Sequence, residues 1–191
     1  LELTLEGLRD ISPALAEYRM LTSLKLDHNF LASLACLALP NLKVLSVHHN
    51  RLTAFGDALR GVPLLLQLNA GYNRLGSLAG VEHLAQLNSL MVPHNALDDA
   101  ASLQPLVAIA PSLNTLELQD NAFATLDALR PLTSLSELRT LRLSGNPALD
   151  PACHPGAPGR TLLLSTLPQV RILDGSKNIE AEQRERRSTM E

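Results

Sequence analysis

Residues 65–87 read LLQLNAGYNRLGSLAGVEHLAQL. Apolar residues stand at 65, 68, 75, 78, 81, 84 and 87, and an asparagine at 73. From Leu65 to Ala70 the inward positions are three and then two residues apart, which suits a short strand. From Leu75 onward the apolar spacing is three throughout, with glycine inside. A long amphipathic helix wants i, i+3, i+4, i+7. This stretch instead predicts a coil that turns back on itself and is buried by copies above and below.

The copies are present. The frame L-x-x-L-x-L-x-x-N-x-L recurs at Leu21/Leu24/Leu26/Asn29/Leu31, Leu42/Leu45/Val47/Asn50/Leu52 and Leu65/Leu68/Ala70/Asn73/Leu75. It returns at Leu87/Leu90/Val92/Asn95/Leu97, Leu113/Leu116/Leu118/Asn121/Phe123 and Leu138/Leu141/Leu143/Asn146. Successive asparagines are 21, 23, 22, 26 and 25 residues apart. This is the signature of a leucine-rich repeat. The predicted fold is α/β: a right-handed leucine-rich repeat solenoid. A curved parallel β-sheet lines its concave side, with short turns, 3-10 or α-helices on the convex side and a C-terminal cap helix. Residues 1–178 form the solenoid, with six full repeats between a partial first and a degenerate last coil, and 179–191 a charged helix and tail.

The chain has 191 residues, 46% of them hydrophobic but only 3% aromatic. Leucine and alanine therefore fill the core, which stacking permits because each coil covers its neighbour. A net charge of −3 argues against a nucleic-acid binder. No apolar run approaches the roughly 18 residues of a membrane span. The two cysteines, Cys36 and Cys153, do not form the cysteine-rich end caps that extracellular repeat proteins of this kind resemble one another in, so a reducing compartment is expected. The chain opens inside a repeat: Leu1, Leu3, Leu8 and Ile11 fit the frame with Glu6 in the asparagine place. An uncapped first coil exposes its apolar side, which predicts a native N-terminal extension or a partner there.

Asparagine belongs at the bend because the inward turn strands backbone N–H and C=O groups, and an amide both donates and accepts. Asn29, Asn50, Asn73, Asn95, Asn121 and Asn146 are predicted to form a ladder. Pro40, Pro63, Pro111 and Pro168 each stand two residues before a first frame position and are expected to hold the chain extended into the strand. Returns after Asn29, Asn50 and Asn73 are short enough for turns or single 3-10 turns. Those after Asn95 and Asn121 leave room for helices at Ala101–Ile109 and Leu132–Glu137. Pro147–Gly159 is a loop by composition, Thr161–Leu167 a helical piece, and Asp174-Gly175 a turn that ends the sheet.

The ending, L-x-G-N-P at Leu143–Pro147 and L-P-x-x-x-x-L-D-G at Leu167–Gly175 before a Glu/Arg segment holding Arg184 and Glu185, resembles one intracellular subgroup of leucine-rich repeat proteins. That subgroup includes the leucine-rich regulatory subunit of protein phosphatase 1, the spliceosomal A-prime protein and the leucine-rich-repeat light chain of axonemal outer-arm dynein. The resemblance implies a non-catalytic adaptor, cytoplasmic or cytoskeletal, in a ciliary dynein-type assembly. The family's other members imply a phosphatase regulator or a nuclear splicing scaffold instead.

Frame positions two, three, five, seven and eight face the open side of the sheet or its edge. Reading those columns gives a candidate partner-binding face of Lys25, His28, Val44, His48, His49, Asn69, Tyr72, Met91, His94, Glu117 and Arg142. An aromatic or Met centre, here Tyr72 and Met91, inside a polar rim is the anatomy of a protein interface. His28, His49 and His94 share column eight, with Tyr72 interrupting it, and suggest a patch that titrates near about pH 6–7. No Cys or carboxylate completes a tetrahedral metal set there, so no metal or other cofactor is expected. Cys153-His154 lacks a third group, and no nucleotide-binding or hydrolase motif occurs. The expected partner is a single protein, part of a motor or phosphatase complex, with no nucleic acid and no membrane. The chain is expected to act as a monomeric subunit, and an enzyme is the disfavoured alternative.

Overall fold

In the computed structural model, residues 1–149 and 159–177 are described. Eight strands lie in one sheet in chain order. They are β1 (Ser23–Lys25), β2 (Val44–Ser46), β3 (Gln67–Asn69), β4 (Ser89–Met91), β5 (Thr115–Glu117), β6 (Thr140–Arg142), β7 (Ile172–Leu173) and β8 (Ser176–Lys177). The first seven are parallel, and each of the first six is three residues long. The register matches equal frame positions. Leu24 faces Leu45, Leu45 faces Leu68, and the series runs on through Leu90, Leu116, Leu141 and Leu173. These leucines, and the sixth-position residues Leu26, Val47, Ala70, Val92, Leu118 and Leu143, are buried in one continuous core. The partial first coil keeps register, because Glu2 bridges Lys25 in parallel.

The asparagine ladder forms as expected. Asn50 Oδ1 accepts from Leu31 N–H at 3.0 Å, and Asn50 Nδ2 donates to Leu26 O at 2.9 Å in the coil before and to Val47 O at 3.0 Å in its own. The same pattern repeats at Asn73, Asn95, Asn121 and Asn146, and at Asn29 against Leu8 and Leu3. Each amide therefore satisfies two coils at once, which is why the frame tolerates no apolar residue there.

The returns correct several expectations. The helix expected at Leu132–Glu137 is a 3-10 helix at Leu126–Ser134. Its apolar residues Leu126, Leu129, Leu132 and Leu135 recur every three, the period of a 3-10 helix, and Pro131 inside it cannot donate an α-helical hydrogen bond. In the preceding return α1 covers only Ala100–Leu103. Asp99 caps it by accepting from Ser102 N–H, and the chain then tightens to 3-10 over Gln104–Ile109, where Pro105 enters. The return after Asn50 is a longer 3-10 piece (Gly56–Gly61) than a single turn, and that after Asn73 is a short one (Val81–His83). The chain at Pro40, Pro63 and Pro168 is turned rather than extended. Each stands second in a β-turn closed by Leu42 N–H to Leu39 O, Leu65 N–H to Val62 O and Val170 N–H to Leu167 O. Leu87 and Leu138 close the same turn without proline, so the proline pre-sets a bend that the coil makes anyway.

At the C-terminal end, α2 (Gly159–Thr166) matches the expected helical piece. Asp174-Gly175 does not end the sheet. Both residues have positive φ, 50° and 77°, as a two-residue hairpin turn of the I′ kind requires. The chain reverses there into β8, antiparallel to β7. Asp174 Oδ1 also accepts from Leu143 and Ser144 N–H at 2.7 and 2.9 Å, tying the hairpin to the preceding coil. The charged segment expected at 179–191, most of the 147–159 loop, and Cys153-His154 lie outside the described residues. No described helix is long and apolar enough to cross a membrane.

Candidate functional site

The open face of the sheet is built by columns three, five, seven and eight. Column eight is set by backbone. His28, His49, Tyr72, His94 and Asp120 all sit at φ between 52° and 54°, and Gly145 at 76°. The chain swings inward at the next residue, the ladder asparagine, and only a left-handed residue makes that corner. Histidine and aspartate tolerate this conformation better than most residues. Tyr72, like Leu5 at 63° in the partial first coil, is an exception, and the neighbours of Tyr72 compensate it.

The compensation is stacking. His28 and His49 have ring centroids 4.3 Å apart at 18°, His49 and Tyr72 4.2 Å at 25°, and Tyr72 and His94 4.0 Å at 30°. Tyr72 does not interrupt the column; it continues it. Because all corners share one backbone geometry and one strand spacing, about 4.8 Å, a planar side chain at each must lie nearly parallel to the next. The stack ends on a carboxylate, with His94 Nε2 3.2 Å from Asp120 Oδ2. His48, from column seven, stands edge-on behind it, 4.3 Å from His49 and 5.0 Å from Tyr72.

The charges are asymmetric. Asp27 is committed, accepting from Ser46 Oγ at 2.6 Å and from His48 N–H at 2.9 Å. Lys25 reaches Glu2 at 3.4 Å and Arg142 reaches Glu117 at 3.4 Å, both near the surface. Burial, and then the charge of His49, hold the His48 pKa below the usual histidine value, while Asp27 pulls it up. His48 Nδ1 is buried with no hydrogen-bond partner, which suits a neutral ring. Burial, and then His28, also lower His49.

Of the expected face residues, His28, His48, His49, Tyr72 and His94 are brought into one ring cluster. Asn69 and Met91 are half-buried neighbours on the paired strands β3 and β4, Val44 stands on β2, and Glu117 and Arg142 pair at the far end. Gly71, in column seven between the coils of His48 and Pro93, is buried. A Cβ there would stand 2.9 Å from Pro93 Cγ and 3.0 Å from His48 Nδ1, so glycine lets those two side chains close over the strand end. Sequence reasoning passed over Asp27 and Asp120 as site residues, although both stand in columns that it had read. It also passed over column ten, where exposed Phe30, Arg51 and Arg74 stand two residues beyond His28, His49 and Tyr72. Among the described residues no three His, Cys, Asp or Glu side chains converge as metal ligands; stacked imidazoles present their nitrogens in parallel planes instead.

No family model matches the sequence. An internalin of Listeria monocytogenes superposes with a TM-score of 0.60 at 21% identity, covering 90% of this chain and 52% of that one. A leucine-rich repeat protein of Leptospira interrogans gives 0.58 at 20% identity over 90% of this chain and 54% of that one. The chain is a leucine-rich repeat solenoid. Within this repeat fold, curated relatives share shorter stretches. Geranylgeranyl transferase type-2 subunit alpha of Sus scrofa is 44% identical over 77 residues, 40% of this chain and 13% of the relative. Acidic leucine-rich nuclear phosphoprotein 32-related protein 2 of Caenorhabditis elegans is 33% identical over 119 residues, 62% of this chain and 49% of the relative. Dynein axonemal assembly factor 11 of Trypanosoma brucei brucei is 30% identical over 154 residues, 79% of this chain and 37% of the relative. The solenoid thus spans less than half the length of these curated relatives. Frame leucines and ladder asparagines are demanded by the architecture, so identity at those positions carries the fold rather than a partner.

Proposed function

We propose that this solenoid is a non-catalytic protein-interaction scaffold that binds one protein partner on its concave sheet. The observation that carries the reading is the exposed ring stack on column eight, with half-buried Met91 and the Glu117–Arg142 pair on the adjoining strands. An open parallel sheet is unusual, since parallel sheets are ordinarily covered on both faces. Tyr72, 41% exposed, is the largest side chain of the stack, and an exposed aromatic within a polar rim is the usual centre of binding energy. The partner class is a subunit of a cytoskeletal or ciliary dynein-type assembly. The support is the similarity to a dynein axonemal assembly factor over 79% of this chain. A second setting, nuclear, is favoured by the similarity to a nuclear phosphoprotein-related protein over 62% of the chain.

The test is affinity purification of wild type beside Tyr72→Ala/Met91→Ala, with folding checked by circular dichroism. Recovery of dynein-assembly proteins by wild type and their loss in the folded double variant supports the proposal. A folded double variant that keeps every partner refutes the concave-face reading, and turnover by the purified chain alone refutes the scaffold class.

A further inference from the structure

The ring stack has its inner faces occupied, with His48 packed against one flank and Asp120 meeting His94 at its end. Each inner ring is sandwiched between neighbours at 4.0–4.3 Å, so no flat aromatic surface remains between them for a nucleobase to enter. Solvent reaches the column at His28 and Tyr72, which are exposed, and partly at His49 and His94, which are half-buried. Two residues along each coil, column ten adds Phe30, Arg51 and Arg74, all exposed. The Arg51 guanidinium lies 4.5 Å from the Phe30 ring centroid, which fixes it on this edge. Among the described residues Arg51 and Arg74 make no ion pair. Their backbones are held coil on coil, Arg51 N–H to Leu31 O at 2.9 Å and Arg74 N–H to Leu52 O at 2.8 Å. Over the coils of Asn29, Asn50 and Asn73, columns eight and ten hold no acid.

We infer that this edge, Arg51 and Arg74 beside the ring rims of His28, His49, Tyr72 and His94, is a docking surface for an acidic segment of a protein partner. The inference rests on the protein-scaffold reading and names the chemistry of its partner. Guanidinium groups match carboxylates through paired N–H donors, and Arg on a fixed edge loses little freedom in doing so. Protonated imidazoles add donors and charge in the same row. The groups facing the stack are Lys25 with its partner Glu2, Asp27 held by Ser46 and His48, His48 itself, and Asp120 against His94. Asp27 keeps its charge although neutral donors hold it, and with Lys25 paired to Glu2 it offsets one of the two arginines, so these columns of the first three coils stay net positive. An acidic ligand opposes the mutual repulsion of the histidines, so its binding takes up protons and strengthens as pH falls.

The experiment uses the whole chain and a fluorescent octaglutamate peptide, with octalysine and an oligothymidylate as controls, followed by anisotropy at about pH 6 and about pH 8. Three variants accompany wild type: Arg51→Ala/Arg74→Ala; His28→Asn/His49→Asn/His94→Asn, since asparagine keeps the left-handed corner; and Arg60→Ala/Arg130→Ala in the 3-10 returns away from the sheet. The expected result is octaglutamate binding at the lower pH that weakens several-fold at the higher. The arginine pair and the histidine triple should each weaken it at least about tenfold, the loss of one or two charge-assisted contacts. Arg60→Ala/Arg130→Ala should leave it unchanged. No octaglutamate binding, equal binding of octalysine, preference for oligothymidylate, or binding unaffected by the arginine and histidine replacements overturns the inference. The two readings separate cleanly. Tyr72→Ala/Met91→Ala losing its protein partner while octaglutamate fails to bind wild type leaves the scaffold standing and removes the acidic partner. Octaglutamate binding that follows the edge variants holds the inference even where that double variant keeps its partners.

Discussion

His94 Nε2 stands 3.2 Å from Asp120 Oδ2, so the column of rings running up the solenoid ends on a carboxylate. The next corner, Gly145, has φ of 76°, and a Cβ there would collide with that carboxylate. Gly145→Ala therefore suffers twice, from the left-handed backbone and from displacement of Asp120, and should destabilise by about 1 kcal/mol or more in urea unfolding. Asp120→Asn weakens only a contact to His94, ionic when that imidazole is protonated and 46% exposed on the acid side, and should cost less than about 1 kcal/mol. If the two substitutions prove equal, the steric role given to Gly145 is wrong.

Asn50 is 8% exposed and its amide makes four hydrogen bonds across two coils. Asn50→Ala leaves Leu31 N–H and Leu26 O without that amide, at roughly 1–3 kcal/mol. Asn50→Asp keeps the acceptor for Leu31 but loses the donors and buries a charge, so it should be at least as damaging above the carboxylate pKa. A chemical-denaturation midpoint unchanged in Asn50→Ala would show that water replaces the ladder.

Stability should fall in mild acid. The His48 imidazole titrates below its unfolded value because burial and then His49 disfavour its charged form. Below the unfolded value of about 6.5 the unfolded chain binds protons that the folded ring resists. Stability is therefore complete above about pH 7 and declines as pH drops through that window. His48→Gln should flatten the slope of Tm against pH between about 7 and 5. Parallel curves for the two proteins would assign the slope to other groups.

Two glycines on the convex side make a controlled pair. A Cβ at Gly61 would run into the Leu37 carbonyl, a backbone atom that cannot step aside. Gly76 has open space and an ordinary φ. Gly61→Ala should lower Tm clearly, whereas Gly76→Ala should be neutral or raise stability by up to about 1 kcal/mol by restricting the unfolded chain. Differential scanning calorimetry on both decides it; a destabilised Gly76→Ala would contradict the packing described for that return.

What the sequence alone determined follows from repetition. Equal frame positions lie over one another, so six asparagines read in a line had to become a ladder, and the leucines at positions four and six had to face one core. Leu24, Leu45, Leu68, Leu90, Leu116 and Leu141 are registered as the frame dictates. Lateral packing was not written there in the same way. That Tyr72 carries the imidazole stack onward rather than breaking it depends on a shared left-handed corner and on the distance between coils. That the return after Asn121 is 3-10 depends on its three-residue leucine period being pressed against its neighbours, around a proline that cannot donate. And the Asp174-Gly175 turn leads into an antiparallel strand because two successive left-handed residues reverse the chain onto the edge of β7. A column in a repeat fixes which residues meet; only the assembled coils fix how their side chains lie against each other, because that orientation is set by neighbours remote in the chain.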